Sequence, residues 1–136
     1  IYEGMRPEAE RLDIALSTTF TEGPFQVSGD ADQIHQAVLN LLVNAFDALS
    51  DGGEIVIGLM RRDGQIVLSV TDNGPGLSPE LVDRAFDPFV TGKARGSGLG
   101  LAKVASVMEG HKGQTVYRGG KPRGACFELI FPELVS

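Results

Sequence analysis

Between Asp30 and Leu49 the chain reads DADQIHQAVLNLLVNAFDAL. At about 100° per residue, Ile34, Ala37, Val38, Leu41, Leu42, Ala45, Ala48 and Leu49 fall on one broad apolar arc. A helix with so wide an apolar face needs a second layer to cover it. Asp30 suits the N-cap, Gln33 three residues on completes a capping box, and Asp51-Gly52-Gly53 ends the helix at about Leu49. The cover follows directly: EIVIGLMR and QIVLSVTD are β-rich runs joined through Asp63-Gly64, a hairpin pattern. A half-buried strand precedes the helix, since Leu12, Ile14 and Leu16 alternate in RLDIALSTTF. GQTVYRG and ACFELIF close the chain as strands around a Gly-Lys-Pro-Arg-Gly turn. Two more helices are predicted, a short one from Ser78-Pro79 to about Ala85 and another from about Leu99 to Met108. Strands in hairpins mixed with helices give an antiparallel or mixed sheet with helices on one face. No repeat or linker divides the chain, so its 136 residues read as a single domain.

Charge narrows what such a domain can bind. The net charge of −6 argues against non-specific nucleic-acid binding. No apolar run is long enough to enter a bilayer, so direct membrane insertion is not expected. The lone cysteine, Cys126, excludes an internal disulfide framework and suits a reducing cytoplasm. One window reverses the sign: Arg84, Lys93, Arg95 and Lys103 stand against Asp87 alone, which fits either an anion site or a solvated loop with scattered cations.

Several residues within this frame carry chemistry. Asn40 and Asn44 lie about 40° apart on one flank of the long helix, with Gln33 and Asp47 beside them. Buried amides need partners, so this ridge either bonds to neighbouring loops or meets a polar ligand. His35 faces about 180° away from Asn44, which makes it a structural or surface residue rather than a phosphoacceptor or base. His111, in EGHKGQ, falls at a helix end, where a cation would suit the dipole, and reads as structural. Asp72 ends a strand and leads into Asn73-Gly74-Pro75-Gly76. A carboxylate there can accept from an exocyclic amine while the glycines let a planar ring approach; a plain Asp-Asn-Gly turn is the other reading. In GKARGSGLGLAKV, glycines leave backbone N–H groups free and the helix that follows adds positive charge at its start. No Gly-Lys-Ser/Thr follows the spacing of a Walker loop, and the third glycine comes one residue too early for a dinucleotide fingerprint.

Taken together, the segments from about Leu12 to Pro132 resemble the ATP-binding catalytic domain of sensor histidine kinases, within the gyrase, heat-shock chaperone, histidine kinase and mismatch-repair ATPase superfamily. QAVLNLLVNAFDAL is similar to the N box, DNGPGL to the first glycine box, FDPFV to the F box and GSGLGLA to the second glycine box. The resemblance implies a two-layer α/β sandwich of the Bergerat type, a mixed, mostly antiparallel sheet packed on three helices. It implies ATP and Mg²⁺ as ligands, with Asn44 holding the Mg²⁺ that bridges the phosphates and Asn40 assisting one turn earlier. Asp72 would take the adenine amino group, and Gly74 and Gly76 would shape its pocket. Phe86 to Ser97 would form a lid anchored by Phe86 and Phe89, with Lys93 reaching a terminal phosphate and Arg95 as a second lid cation. Gly96, Ser97, Gly98, Leu99, Gly100 and Leu101 would wrap the phosphates where the next helix begins. Asn40, Asn44 and Lys93 are thus the expected catalytic set. The implied reaction is transfer of the γ-phosphoryl group to a histidine within two-component signalling.

Three departures qualify the match. Hydrolysing members of the superfamily carry a water-activating Glu where this chain has Asn40, so hydrolysis should be poor and transfer favoured. Asp47 stands where many kinases carry Lys or Arg, leaving more charge compensation to Mg²⁺ and Lys93. Ala125, in GACF, replaces the usual Thr whose hydroxyl helps hold the base through water, which should weaken affinity. No His-Glu or His-Asp followed by an Arg-Thr-Pro-like segment appears, so the dimerisation domain bearing the phosphoacceptor histidine is expected N-terminal to Ile1. The expected partners are that domain and a response regulator receiver domain, with this fragment monomeric and cytoplasmic and its parent free to be membrane-anchored. An anti-sigma-type protein-serine kinase and a non-catalytic nucleotide-sensing module are the alternatives.

Overall fold

The computed structural model describes residues 7, 14–20, 29–49, 52–74, 100–119 and 124–133. In chain order these form β1 (Ile14–Phe20), α1 (Ala31–Ala48), β2 (Gly53–Arg62), β3 (Gln65–Asp72), α2 (Gly100–Gly110), β4 (Gln114–Gly119) and β5 (Ala125–Pro132). The five strands make one sheet in the order β1-β2-β3-β5-β4. β1 pairs with β2 in parallel, as a strand–helix–strand crossover through α1 requires, and the other three pairings are antiparallel.

The β2–β3 hairpin turns on two residues, Asp63 and Gly64, with φ of 53° and 76°. Positive φ at both positions is the turn whose twist matches paired strands, and it explains why glycine follows an acid there. Strand alternation then sorts the sheet into two faces. Ile55, Ile57, Ile66, Val70, Ala125, Phe127, Leu129 and Phe131 share a core cluster with Ala37, Val38, Leu41, Leu42, Ala45 and Phe46 of α1 and Val104 and Met108 of α2. Both helices therefore cover the same face, and the architecture is the expected two-layer α/β sandwich. Two helices are described along their length and Pro7 is a further helical residue; the short helix expected over 78–85 lies outside the described residues.

The apolar arc of α1 is wider than its periodicity indicates. Phe46, on the side away from Asn40 and Asn44, is buried, whereas His35 near the start of the same side is exposed. Tertiary cover at one end of the helix decides this, and no local pattern encodes it. The side chain of Ala48, and Leu12 before β1, lie outside the described part.

The opposite sheet face carries Val67 and Ile130, buried as a cross-strand pair, and the buried carboxylate of Glu128. Glu128 accepts from Arg118 Nε at 3.1 Å and Arg62 Nη2 at 3.4 Å. Cys126, two residues earlier on that face, is half-buried; burial pushes its thiol pKa up, against a hydrogen bond to Thr71.

Candidate nucleotide-binding site

Asp72 is the last residue of β3, the middle strand, and its side chain is only 4% exposed. By alternation it points to the helix-bearing face, two residues beyond the core residue Val70. A buried carboxylate is stable only where its oxygens are engaged. Here Oδ1 accepts the backbone N–H of Gly74 at 2.8 Å, a turn that bends the chain out of the sheet. Gly74 is itself buried. Across the sheet, Asp72 lies opposite Ile55 on β2 and Ala125 on β5. Ala125 is 6% exposed, so the position expected to lack a helpful hydroxyl is the direct neighbour of the expected base-binding acid.

Asn73 had no assigned role in the sequence reading, yet it fixes the exit of this strand. Its Oδ1 accepts from Glu54 N at 2.9 Å while its own N–H donates to Glu54 O at 3.2 Å. The side chain thus extends the β3–β2 ladder by one step. The sequence reading assigns this stretch to a base pocket or a plain turn through Asp72 and the glycines; that an amide in such a turn can reach the next strand is the signal for Asn73.

The amides of α1 come to the same core. Asn40 and Asn44 are half-buried, adjacent to the fully buried Leu41 and Ala45, and α1 packs against β3. Asn40 Oδ1 accepts from Gln36 Nε2 at 2.9 Å. Gln36 was not among the expected residues; its i, i+4 spacing from Asn40 was the available clue. Asp47 lies in the last turn of α1, with its side chain outside the described part. Gly100 is the first residue of α2, and Leu101 packs half-buried against the core. Gly76, Phe86, Phe89, Lys93, Arg95, Gly96, Ser97, Gly98 and Leu99 lie outside the described residues.

One expectation at the start of α1 is corrected. Asp30 is the N-cap, with Oδ1 accepting from Asp32 N at 2.9 Å and Gln33 N at 3.2 Å. The reciprocal half of the capping box is replaced: Asp30 N donates to His111 Nε2 at 2.9 Å, so Gln33 is not its partner. His111 stands at a helix end and has structural contacts, as expected. A nitrogen that accepts from a backbone N–H carries no proton, so the imidazole is neutral and Nδ1 donates to Val107 O at 2.7 Å.

Chemically, the arrangement offers a buried acid beside a glycine turn, a flank of amide oxygens, and the start of a glycine-led helix. Amide oxygens are hard donors suited to a Mg²⁺ that keeps most of its contacts with water and phosphate. Among the described residues no group of three His, Cys, Asp or Glu forms a metal cage. No described helix is long and apolar enough to cross a membrane.

Residues 29–135 match the model of the family described as histidine kinase-, DNA gyrase B-, and HSP90-like ATPases. The chain is 33% identical to the sensor histidine kinase ZraS of Escherichia coli K12 over 125 residues, covering 92% of this chain and 27% of ZraS. It therefore spans about a quarter of the length of the curated relatives it matches. Among solved structures it is similar to the catalytic domain of histidine kinase ThkA, with a TM-score of 0.87, 27% identity, and coverage of 97% of this chain and 87% of that one. ThkA has also been solved in complex with a response regulator protein, TrrA (TM-score 0.84, 25% identity, 98% of this chain and 38% of that one). Full-length ShkA in complex with AMPPNP matches with a TM-score of 0.83 and 28% identity over 99% of this chain and 29% of that one.

Proposed function

The chain belongs to the histidine kinase-, DNA gyrase B- and HSP90-like ATPases, and on that premise we propose that it binds Mg·ATP and delivers the γ-phosphoryl group to a histidine on a separate dimerisation domain. The observation that carries this reading is the buried carboxylate of Asp72 at the mouth of the glycine turn. A carboxylate there accepts a hydrogen bond from the adenine amino group, and backbone bonding at Gly74 holds its orientation before nucleotide arrives. Asn44 and Asn40 would hold Mg²⁺ through their side-chain oxygens, and the ion would supply charge neutralisation at the phosphates. The glycines that precede α2 in sequence, with Lys93 and Arg95 before them, would supply N–H groups and positive charge to the phosphate chain.

In this role the chain positions and polarises rather than activates water. Asn40 is an amide and cannot take a proton from a nucleophile, so hydrolysis stays slow while an external imidazole, itself a nucleophile, serves as acceptor. The histidine kinase names of ZraS and ThkA support the assignment, and the AMPPNP complex of ShkA supports nucleotide binding. The ThkA complex supports a receiver domain as the onward partner of the parent protein.

The test mixes the chain with radiolabelled ATP, Mg²⁺ and its matching histidine domain. Acid-labile phosphohistidine is expected. Acid-stable label on a partner serine would point to the anti-sigma type instead, and undetectable Mg·ATP binding in calorimetry would sink the kinase reading. Asn44→Ala should remove Mg²⁺-dependent binding with little loss of fold; normal binding by that variant would displace the metal assignment.

A further inference from the structure

His111 closes α2 in a defined geometry. Lys112 adopts a left-handed φ of 59°, Lys112 N donates to Glu109 O at 3.1 Å, and Gly113 N donates to Met108 O at 2.8 Å. That is the paired-bond C-terminal motif, with His111 as the capping residue. Its ring is held on one side by Val107 O and on the other by the Asp30 N–H, 81 residues away in sequence. A Cβ at Gly29 would overlap the imidazole, so the glycine before the N-cap is what lets the ring reach the backbone. One neutral side chain therefore joins the C-terminal end of α2 to the N-terminal end of α1.

The consequence lies at the other ends of these helices. α2 packs chiefly on α1, and Val104 and Met108 share its core with Ala37, Val38 and Leu41. Helices that lie side by side and meet N-terminus to C-terminus run in opposed senses. Measured from the His111 contact, α2 rises about 16 Å back to Gly100, while α1 rises about 15 Å to Asn40 and 21 Å to Asn44. The glycine-led start of α2 and the amide flank of α1 thus stand at the same level, and the His111 bridge sets the register between them.

We propose that His111 is a positioning residue for nucleotide binding: as the Nδ1–H tautomer it fixes α2 against α1, so that the phosphate-facing helix start and the metal-facing amides keep a fixed separation. The role rests on the Mg·ATP reading above. It acts through Asp30 and Val107, and His111 itself touches no ligand.

Two substitutions separate positioning from plain stability. In His111→Gln the side-chain oxygen can accept from Asp30 N, keeping the inter-helix bond and losing the one to Val107. In His111→Asn the amide can donate to Val107 O and cannot reach Asp30. Each variant loses one hydrogen bond, so the two should melt at similar temperatures. Affinity for Mg·AMPPNP should part company: within about twofold of the unsubstituted protein for His111→Gln, and about tenfold weaker for His111→Asn. The ring ¹⁵N spectrum of the nucleotide-free protein should show a protonated Nδ1 and a bare Nε2. Equal affinities for both variants, or losses that merely track melting temperature, would overturn the positioning role, as would an Nε2–H tautomer. If the unsubstituted protein fails to bind Mg·AMPPNP, the nucleotide reading falls, and the spectrum still decides whether the bridge exists.

Discussion

Asp72 and Glu128 are the two acids buried among the described residues, on neighbouring strands but opposite faces of the sheet. Glu128 is bracketed by the guanidinium groups of Arg62 and Arg118, which reach it from β2 and β4. Asp72 takes a backbone N–H two residues away and stands where the central strand gives way to a glycine turn. The first acid ties three strands of the outer face together. The second is held in orientation at the rim of the helix-covered layer, where a strand ends and the proposed nucleotide site begins. Similar burial therefore marks different tasks, and the neighbouring elements distinguish them.

The largest test of that contrast is Asp72→Asn. It keeps an oxygen for Gly74 N while removing the charge, so Mg·AMPPNP affinity should fall roughly 10–100-fold by calorimetry, with the denaturation midpoint nearly unmoved. Glu128→Gln should do the reverse. Two Arg side chains lose their anion, yet they are 36% and 58% exposed, so solvent takes over much of the lost interaction. A loss of about 1–2 kcal/mol in urea unfolding is expected, with unchanged nucleotide affinity. If Glu128→Gln abolished binding while Asp72→Asn unfolded the domain, the roles would be exchanged.

Ala125→Thr sharpens the Asp72 half of the comparison. It places a hydroxyl directly across from the carboxylate and should tighten nucleotide binding about threefold; unchanged affinity would show that the missing hydroxyl at 125 does not limit this site. The smallest effect reads the other face. Burial holds the Cys126 thiol pKa up, with Glu128 and then Asp72 as further contributors, and Thr71 and Arg118 opposing. A raised thiol pKa contributes stability that is complete below the ordinary thiol value and lost as pH climbs through the raised one. Alkylation of Cys126 at neutral pH should accordingly be slow. Glu128→Gln should speed it about twofold and Asp72→Asn by less, the order in which the two anions act. A larger acceleration from Asp72→Asn would contradict the separation of the two faces.

Much of this was legible without coordinates. The hairpin at Asp63-Gly64, the Asp30 cap and most of the α1 arc are local events, written in turn chemistry and helical period. The proposed site residues Asp72, Asn40 and Asn44 stood out because polar groups beside apolar runs require an explanation. What stayed hidden was nonlocal. The burial of Phe46 depends on what covers one end of α1, and the His111–Asp30 bond joins positions 81 residues apart. A capping box read from Gln33 was chemically sound, but a better acceptor arrived from another helix.

The position of β3 between β2 and β5 has a consequence for exchange measurements. Its amides are flanked by strands on both sides, so Val70, Thr71 and Asp72 should exchange with deuterium only when the whole domain opens. Nucleotide binding then slows exchange in that strand only by stabilising the folded state as a whole. Any selective, local protection must appear where the chain leaves the sheet, from Asn73 onward, and along the first turn of α2.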